Sequence, residues 1–265
     1  MADIKTRIGM LMRRVREQGE LPGSAAIVKE TFERLGYVEG AISAEEVIKR
    51  FNELLRTLWM ETLVTLETHE DRVYAAGIPR ELIKEFPDQF SASEHVARSQ
   101  GFQEGVTHLI SQWYPYIRRV FLSVSQSRMQ RGGKDFELQI EGLFALAGIP
   151  YQEQEKQNRT DLILPNLEAY TRNRNVAAIV SVKRTLRERW AEVAEELFNL
   201  RSPNVFLFTA DENVSTNHIE RICGRYNIYL VVWDSEKAAK FSDQPLVIGY
   251  TEWAVQRLAA MKQHW

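Results

Sequence analysis

An aspartate, a serine and a lysine are spaced along residues 161–183 in a way that suits hydrolysis of a phosphodiester. Asp161 begins a short apolar segment, and Ser181 and Lys183 lie two residues apart near the end of a β-branched one. Residues two apart on a strand share one face, so Ser181 and Lys183 should point the same way. A carboxylate binds a hard cation such as Mg2+ through oxygen. The cation and the lysine together would favour a hydroxide nucleophile and offset charge in the transition state.

A metal site needs a second carboxylate, and the helix predicted after Lys183 supplies one. At about 100° per residue, its buried face gathers Trp190, Val193, Ala194, Leu197 and Leu200. Glu196 lies at the edge of this face, whereas Glu195 lies on the far side. A glutamate on such an acidic helix is more often plain surface charge, but its place in the series favours a role. We therefore expect Asp161 and Glu196 to bind the metal, with Glu192 in reserve.

Three charged residues, Arg187, Glu188 and Arg189, follow Lys183 at the expected start of that helix. Arginine presents a planar fork of donors that matches guanine O6 and N7, and glutamate accepts from cytosine N4. A helix N-terminus with this tripeptide could read G and C together in a major groove. Elsewhere such a tripeptide is usually a solvated helix start, and its position after the lysine favours the recognition role.

The segments around these residues predict an α/β fold with a mixed sheet flanked by helices. Strands are predicted at about 160–165, 176–183, 205–209 and 228–233, with helices before the first and between the later ones. Strands close in sequence should pair antiparallel, and helix-linked strands should be parallel. Gly132-Gly133 predicts a break before an amphipathic helix that runs from Phe136 to Ala147.

The N-terminal half has helical periodicity, with a capping box at Ser43 and turns or kinks expected near its prolines. We predict a helical N-terminal domain over residues 1–128, for DNA contact or dimerisation, and a catalytic domain over residues 129–265. The stretch from Gly105 to Lys134 contains no acidic residue. It could contact the phosphate backbone of a nucleic acid, or it could equally be the solvated basic face of a helix. Its basic residues are Arg118, Arg119, Arg128, Arg131 and Lys134.

Composition narrows the function classes. The 265 residues carry 34 basic and 36 acidic side chains, a formal net charge of -2, which argues against a surface coated in basic charge but not against a local basic patch. The single Cys223 excludes an internal disulfide. We find no phosphate-binding glycine loop and no serine-hydrolase elbow. With no export signal and no long apolar run, we expect a cytoplasmic protein without a membrane partner.

Taken in order, Asp161, Ser181-x-Lys183, Arg187-Glu-Arg-Trp190 and Glu196 resemble the PD-(D/E)XK nucleases. More narrowly, they resemble the CCGG/CCNGG-recognising branch of type II restriction endonucleases, to which PspGI, EcoRII and NgoMIV belong. In that branch the acidic residue two positions before the lysine is replaced, often by Ser, and an acidic residue on the next helix takes its place. Ser181 and Glu196 match this exchange. The resemblance covers about residues 132–235, and it adds Glu137, on the first core helix, to the site. Thr160 departs from it, because the family usually has Pro before the Asp.

The resemblance implies a Mg2+-dependent endonuclease that cuts double-stranded DNA at a palindromic site and leaves 5′ overhangs. It implies a homodimer or a tetramer, and a cognate DNA methyltransferase as functional partner. The residues leave open whether the core is contiguous, as in WCCGGW and the enzyme BsaWI, or of the CCNGG/CCWGG type.

Two alternatives belong to other function classes. The first is a sequence-specific DNA-binding protein that keeps a nuclease fold without cutting. The intact set of Asp161, Lys183 and Glu196 argues against it, because a decayed site usually loses one member. The second is a structure-specific repair nuclease, against which the Arg-Glu-Arg reader argues.

Overall fold

The computed structural model describes residues 3–153, 161–186, 190–199 and 202–265. The chain forms two compact units. Unit 1 comprises Met1–Ile27 and Leu63–Arg131, and unit 2 comprises Val28–Thr62 and Gly132–Trp265. The N-terminal region is mostly helical, as predicted. Residues 28–62, which the predicted N-terminal domain included, nevertheless pack within unit 2.

The helices of the N-terminal region follow the predicted periodicity. They are α1 (Ile4–Gln18), α2 (Ser24–Arg34), α3 (Ala44–Lys49), α4 (Phe51–Glu85), α5 (Pro87–Gln100) and the long α6 (Phe102–Leu146). Ser43 caps α3 by accepting a hydrogen bond from the Glu46 backbone N–H at 3.2 Å, as the capping-box pattern predicts. In unit 1, α1 buries Ile8, Leu11, Met12 and Val15, which recur at helical spacing.

Arginines neutralise the buried acids of unit 1. The Arg128 guanidinium lies 2.6 Å from the buried Glu70 carboxylate and 2.9 Å from Glu67. Arg131 donates to the backbone carbonyl of Pro22 at 2.7 Å. Arg128 and Arg131 of the predicted phosphate-following stretch thus make internal contacts, Arg128 because a buried carboxylate needs its counter-ion.

Unit 2 is built on one mixed sheet, as predicted. Its strands are β1 (Gln152–Glu153), β2 (Leu162–Leu164), β3 (Ala178–Lys183), β4 (Val205–Thr209), β5 (Tyr229–Val232) and β6 (Val247–Gly249). They lie side by side in chain order. The first three pair antiparallel and the last four pair parallel, which confirms the expected pairing of the four predicted strands. β1 and β6 were not predicted.

Helices flank this sheet. They are α7 (Leu167–Arg172), α8 (Trp190–Asn199), α9 (Thr216–Ile219), α10 (Asp234–Lys240), α11 (Tyr250–Glu252) and α12 (Leu258–Lys262), with π-helical turns at Glu220–Arg225 and Trp253–Arg257. No helix in the described ranges has both the length and the apolar character that a membrane span requires.

The predicted break at Gly132-Gly133 is wrong, because α6 runs through both glycines without interruption. It also runs through Pro115, which excludes the turn that was one of the two alternatives expected there. A β-carbon at position 132 would overlap the guanidinium of Arg184, the residue after β3, so Gly132 leaves room for this side chain beside the helix.

Side chains of β3 alternate between two hydrophobic clusters. Ala178, Val180 and Val182 join the cluster that contains the C-terminal part of α6. Ile179 joins the other cluster, together with Ala194 and Leu197 of α8. Because strand side chains alternate, Ser181 and Lys183 belong to the same face as Ile179, which α8 covers.

The aromatic centre of unit 2 generates a stability prediction. Phe144 is fully buried, and its ring stacks on Trp253 with centroids 5.5 Å apart. Phe198 is 50% exposed and contacts Tyr226 with centroids 5.7 Å apart. We expect Phe144→Ala to lower the free energy of unfolding by about 3–5 kcal/mol, because it leaves a cavity. Phe198→Ala should cost under about 1 kcal/mol. Denaturant titration of both variants checks this, and equal losses would contradict it.

Candidate active site

Asp161 is the centre of a hydrogen-bonded cluster at the junction of β2 and β3. It directly precedes β2, whose Leu162 is paired with Val180 of β3, so Asp161 stands opposite Ser181. Its Oδ2 accepts from the Ser181 hydroxyl at 3.0 Å, from the Val182 backbone N–H at 2.6 Å and from the Lys183 ammonium at 2.9 Å. Three donors on one oxygen hold the carboxylate in a single orientation.

Lys183 ends β3 with its ammonium beside this carboxylate. Its Nζ also donates to the backbone carbonyl of Val182 at 3.0 Å. The side chain is partly exposed, whereas Ser181 is fully buried. The structure therefore brings together three predicted residues, and it gives them different settings. Ser181 orients the carboxylate from inside, and Lys183 carries its charge to the edge accessible to solvent.

Glu137 on α6 lies within the electrostatic reach of this cluster. Its side chain is 26% exposed, and burial raises the pKa of its carboxyl above the usual value. The negative charge of Asp161 raises this pKa further, against the opposing charges of Lys134 and Lys183. The Lys134 ammonium lies 3.2 Å from Glu137 Oε2. The charge of Asp161 is thus felt at Glu137, and the role of Glu137 in the site stays a prediction.

Sequence reasoning missed the neighbours of Glu137. Lys134 also lies 3.7 Å from Glu141 Oε1. Burial raises the pKa of the Glu141 carboxyl as well, and the charges of Glu153 and Glu137 add to this shift against Lys134. The spacing of Glu137 and Glu141, four residues apart on one helix, was the signal that could have identified the pair.

On α8 the observed burial follows the predicted faces. Ala194 and Leu197 are buried, Glu196 is half-buried and Glu195 is exposed. Glu196 therefore sits on the edge of the helix face that packs against the sheet, as expected. Its role as a metal ligand stays a prediction. The side chain of Glu192, the reserve candidate, lies outside what the structure describes.

The mutual repulsion of the Asp161 and Glu137 carboxylates suits the binding of a hard divalent cation. Asp161 and Glu137 repel each other strongly enough to raise the pKa of Glu137, and a cation beside both would relieve that repulsion. Among the residues that the structure describes, no group of three or more Asp, Glu, His or Cys side chains could hold a metal ion. Mg2+ is usually held by one or two carboxylates together with waters and substrate phosphates, so a two-carboxylate set suits it.

The predicted reader, Arg187, Glu188 and Arg189, lies outside the described residues. The structure describes the residues on either side of it, Leu186 and the helix from Trp190 onward.

Two further residues near the predicted reader, Arg184 and Asp211, were not singled out from the sequence. The Arg184 guanidinium lies 5.4 Å from the centre of the Trp59 ring. Asp211, just past β4, accepts a hydrogen bond from the Leu186 backbone N–H at 2.8 Å.

Comparisons with solved structures show a shared fold. Metal-depleted Ecl18kI in complex with uncleaved DNA superposes with a TM-score of 0.81 at 24% identity, covering 98% of this chain and 86% of that chain. The complex of restriction endonuclease PspGI with substrate DNA gives a TM-score of 0.62 at 16% identity, covering 92% and 95% of the two chains.

Sequence comparisons identify a related protein and a family in addition to the shared fold. The type II restriction enzyme SsoII of Shigella sonnei is 31% identical over 164 residues, which are 57% of this chain and 53% of the relative. The chain thus spans about half the length of this curated relative. The family described as EcoRII C terminal matches residues 90–248, a range that includes Glu137, Asp161, Lys183 and Glu196. Because this match extends over more than half of the chain, the chain belongs to the EcoRII C-terminal family.

Proposed function

We propose that the chain is a type II restriction endonuclease that hydrolyses double-stranded DNA with the help of Mg2+. The observation that carries this proposal is the Asp161 carboxylate with the Lys183 ammonium 2.9 Å away, both at the end of paired strands. An anionic metal ligand and a cation at this distance suit a reaction in which negative charge develops on a phosphate. The family and its restriction-enzyme relative support the same conclusion.

In the proposed mechanism, Lys183 acts on the attacking water and on the phosphate. Its ammonium orients the water for attack and stabilises the negative charge that grows on the non-bridging oxygens. Ser181 and the Val182 backbone N–H keep Asp161 oriented throughout, because both donate to the same oxygen as Lys183.

Asp161 and Glu196 would hold the metal ion, with Glu137 close by. When bound, Mg2+ lowers the pKa of a coordinated water and neutralises phosphate charge. The raised pKa of Glu137 supports a role near the ion, since a bound cation would offset the repulsion between this carboxyl and Asp161.

For recognition, Arg187, Glu188 and Arg189 would read C:G pairs of a palindromic core, either WCCGGW or the CCNGG/CCWGG type. A palindrome calls for a two-fold assembly, so we propose a homodimer or a tetramer. The DNA complexes of Ecl18kI and PspGI support double-stranded DNA as the partner. We further propose 5′ overhangs, a cognate methyltransferase that protects host DNA, and cytoplasmic action.

The lysine can be tested with a matched control. Lys49 is also a unit 2 lysine next to a carboxylate, 2.7 Å from Glu45, but it is on the exposed surface. With Mg2+ and plasmid DNA, Lys183→Ala should cleave roughly 100–1,000-fold more slowly, because a charge-stabilising donor is lost. Lys49→Ala should keep the wild-type rate. Sequencing the fragment ends gives the site and overhang. If Lys183→Ala cleaved at the wild-type rate, the role assigned to Lys183 would be refuted.

The adjacent glutamates of α8 provide a second test. Glu196→Ala should lower cleavage at subsaturating Mg2+ by about 100-fold or more, because a metal ligand is lost. Glu195→Ala removes the same group from the exposed side of the helix and should leave both cleavage and its Mg2+ dependence unchanged. Metal titrations of cleavage compare the two. Equal effects of the two substitutions would show that Glu196 does not bind the ion.

The raised pKa of Glu137 predicts a pH-dependent stability effect. The folded chain holds this proton more tightly than the unfolded chain does, so ionisation of Glu137 costs stability at any pH above its folded pKa. That cost disappears as the pH falls through the folded pKa toward the ordinary value of 4.5.

In a chelating buffer at pH 8, Glu137→Gln should therefore raise the melting temperature, by about 2–4 °C for each kcal/mol removed. The gain should vanish near pH 4.5, the ordinary value for this carboxyl. Glu195→Gln serves as the control and should show no gain. A lower melting temperature for Glu137→Gln at pH 8 would contradict the prediction.

A further inference from the structure

Asp211 connects the end of β4 to the segment that follows Lys183. Its Oδ2 accepts from the Leu186 backbone N–H at 2.8 Å. The Leu186 side chain is 4% exposed and belongs to the cluster on the α8 face of the sheet. Leu186 is thus held twice, by its backbone through Asp211 and by its side chain in the core.

The Asp211 carboxylate is itself fixed in place. Its Oδ1 accepts from the Asn213 backbone N–H at 2.8 Å, which closes a tight turn. The Asp211 backbone N–H donates to the Thr209 hydroxyl at 3.1 Å, and Thr209 is the fully buried partner of Lys183 across the β3–β4 ladder. The support for Leu186 is therefore tied to the strand that neighbours Lys183.

The residue type matters to this arrangement. Closing the turn at Asn213 needs one side-chain oxygen, which Asn or Ser could also supply. Holding Leu186 at the same time needs a second acceptor, and a carboxylate is the short side chain with two. The second oxygen serves the β3–α8 connection and is not needed for the turn.

We propose that Asp211 is a positioning residue for DNA recognition, because it holds Leu186, the residue directly before the proposed reader Arg187, Glu188 and Arg189. This inference rests on the proposed function. Only these three residues separate Leu186 from Trp190, where α8 begins, so the residue that Asp211 holds directly precedes Arg187. Bidentate base contacts require placement within about 0.5 Å, and a shifted anchor would weaken them.

The test measures discrimination between DNA sequences, with Ca2+ in place of Mg2+ so that binding is measured without cleavage. Wild-type protein first selects its preferred duplex from a randomised pool. The readout is the dissociation constant for a duplex with a single C:G pair of the core changed, divided by the dissociation constant for the preferred duplex. A partly unfolded sample weakens both constants equally and leaves the ratio unchanged, so lost stability alone does not move it.

Two variants remove the contact with Leu186, and one variant is the control. Asp211→Ala removes both acceptors. Asp211→Ser can still close the turn at Asn213 but is too short to hold Leu186 as well, so it keeps the test decisive if the alanine variant does not fold. The control is Asn173→Ala, because Asn173 Oδ1 closes a similar exposed turn with the Asn175 backbone N–H at 3.0 Å.

We expect both Asp211 variants to lower the ratio by about tenfold or more, through weaker binding to the selected duplex. Binding to the altered duplex should stay the same, because phosphate contacts dominate it. Asn173→Ala should keep the wild-type ratio. A wild-type ratio in every folded Asp211 variant overturns the inference, as does an equal loss in Asn173→Ala. Absence of any preferred sequence for the wild type overturns the proposed function, and this inference with it.

Discussion

The antiparallel pairing of β2 with β3 is the constraint on which the site depends. Each strand has one face in the same hydrophobic cluster, through Leu162 and Leu164 on β2 and Val180 on β3, so the register is set by burial. A slip by one residue would turn the strand over and carry Asp161 to the opposite face, away from Ser181 and Lys183. The three hydrogen bonds on one carboxylate oxygen follow from that register.

Charges that oppose folding also meet near Asp161. Glu137 and Asp161 lie close enough for their negative charges to raise the pKa of Glu137, and burial adds to the effect. Lys134 and Lys183 compensate in part. Such an arrangement is characteristic of sites kept for chemistry, because a more stable structure would place apolar residues there.

The sequence was sufficient to predict features that depend on local residue patterns, such as the longer strands, and on the spacing of residues that could act in catalysis. β3 and β4 are six and five residues long and rich in β-branched or aromatic side chains, and they were recognised. β1 has only two residues, too few for a period to appear. β6 has three residues, as many as the predicted β2, so its length alone does not explain why it was missed. The break expected at Gly132 is absent, because α6 continues through both glycines, and the nearby Arg184 comes from a distant part of the sequence. Asp211 was missed because its partner Leu186 is on another strand connection.

Unit 2 is formed by two segments that are separated in the sequence, and this limits which chimeras between this protein and its relatives can fold. Phe51, at the start of α4, has its ring centre 6.0 Å from that of Phe144 and 5.7 Å from that of Trp253. These three rings come from distant parts of the sequence and share one core. Recombination between two family members anywhere from 63 to 131 would join Phe51 of one parent to the sheet of the other. Functional chimeras should therefore require parents that agree at these core positions, whatever the identity of the residues between them.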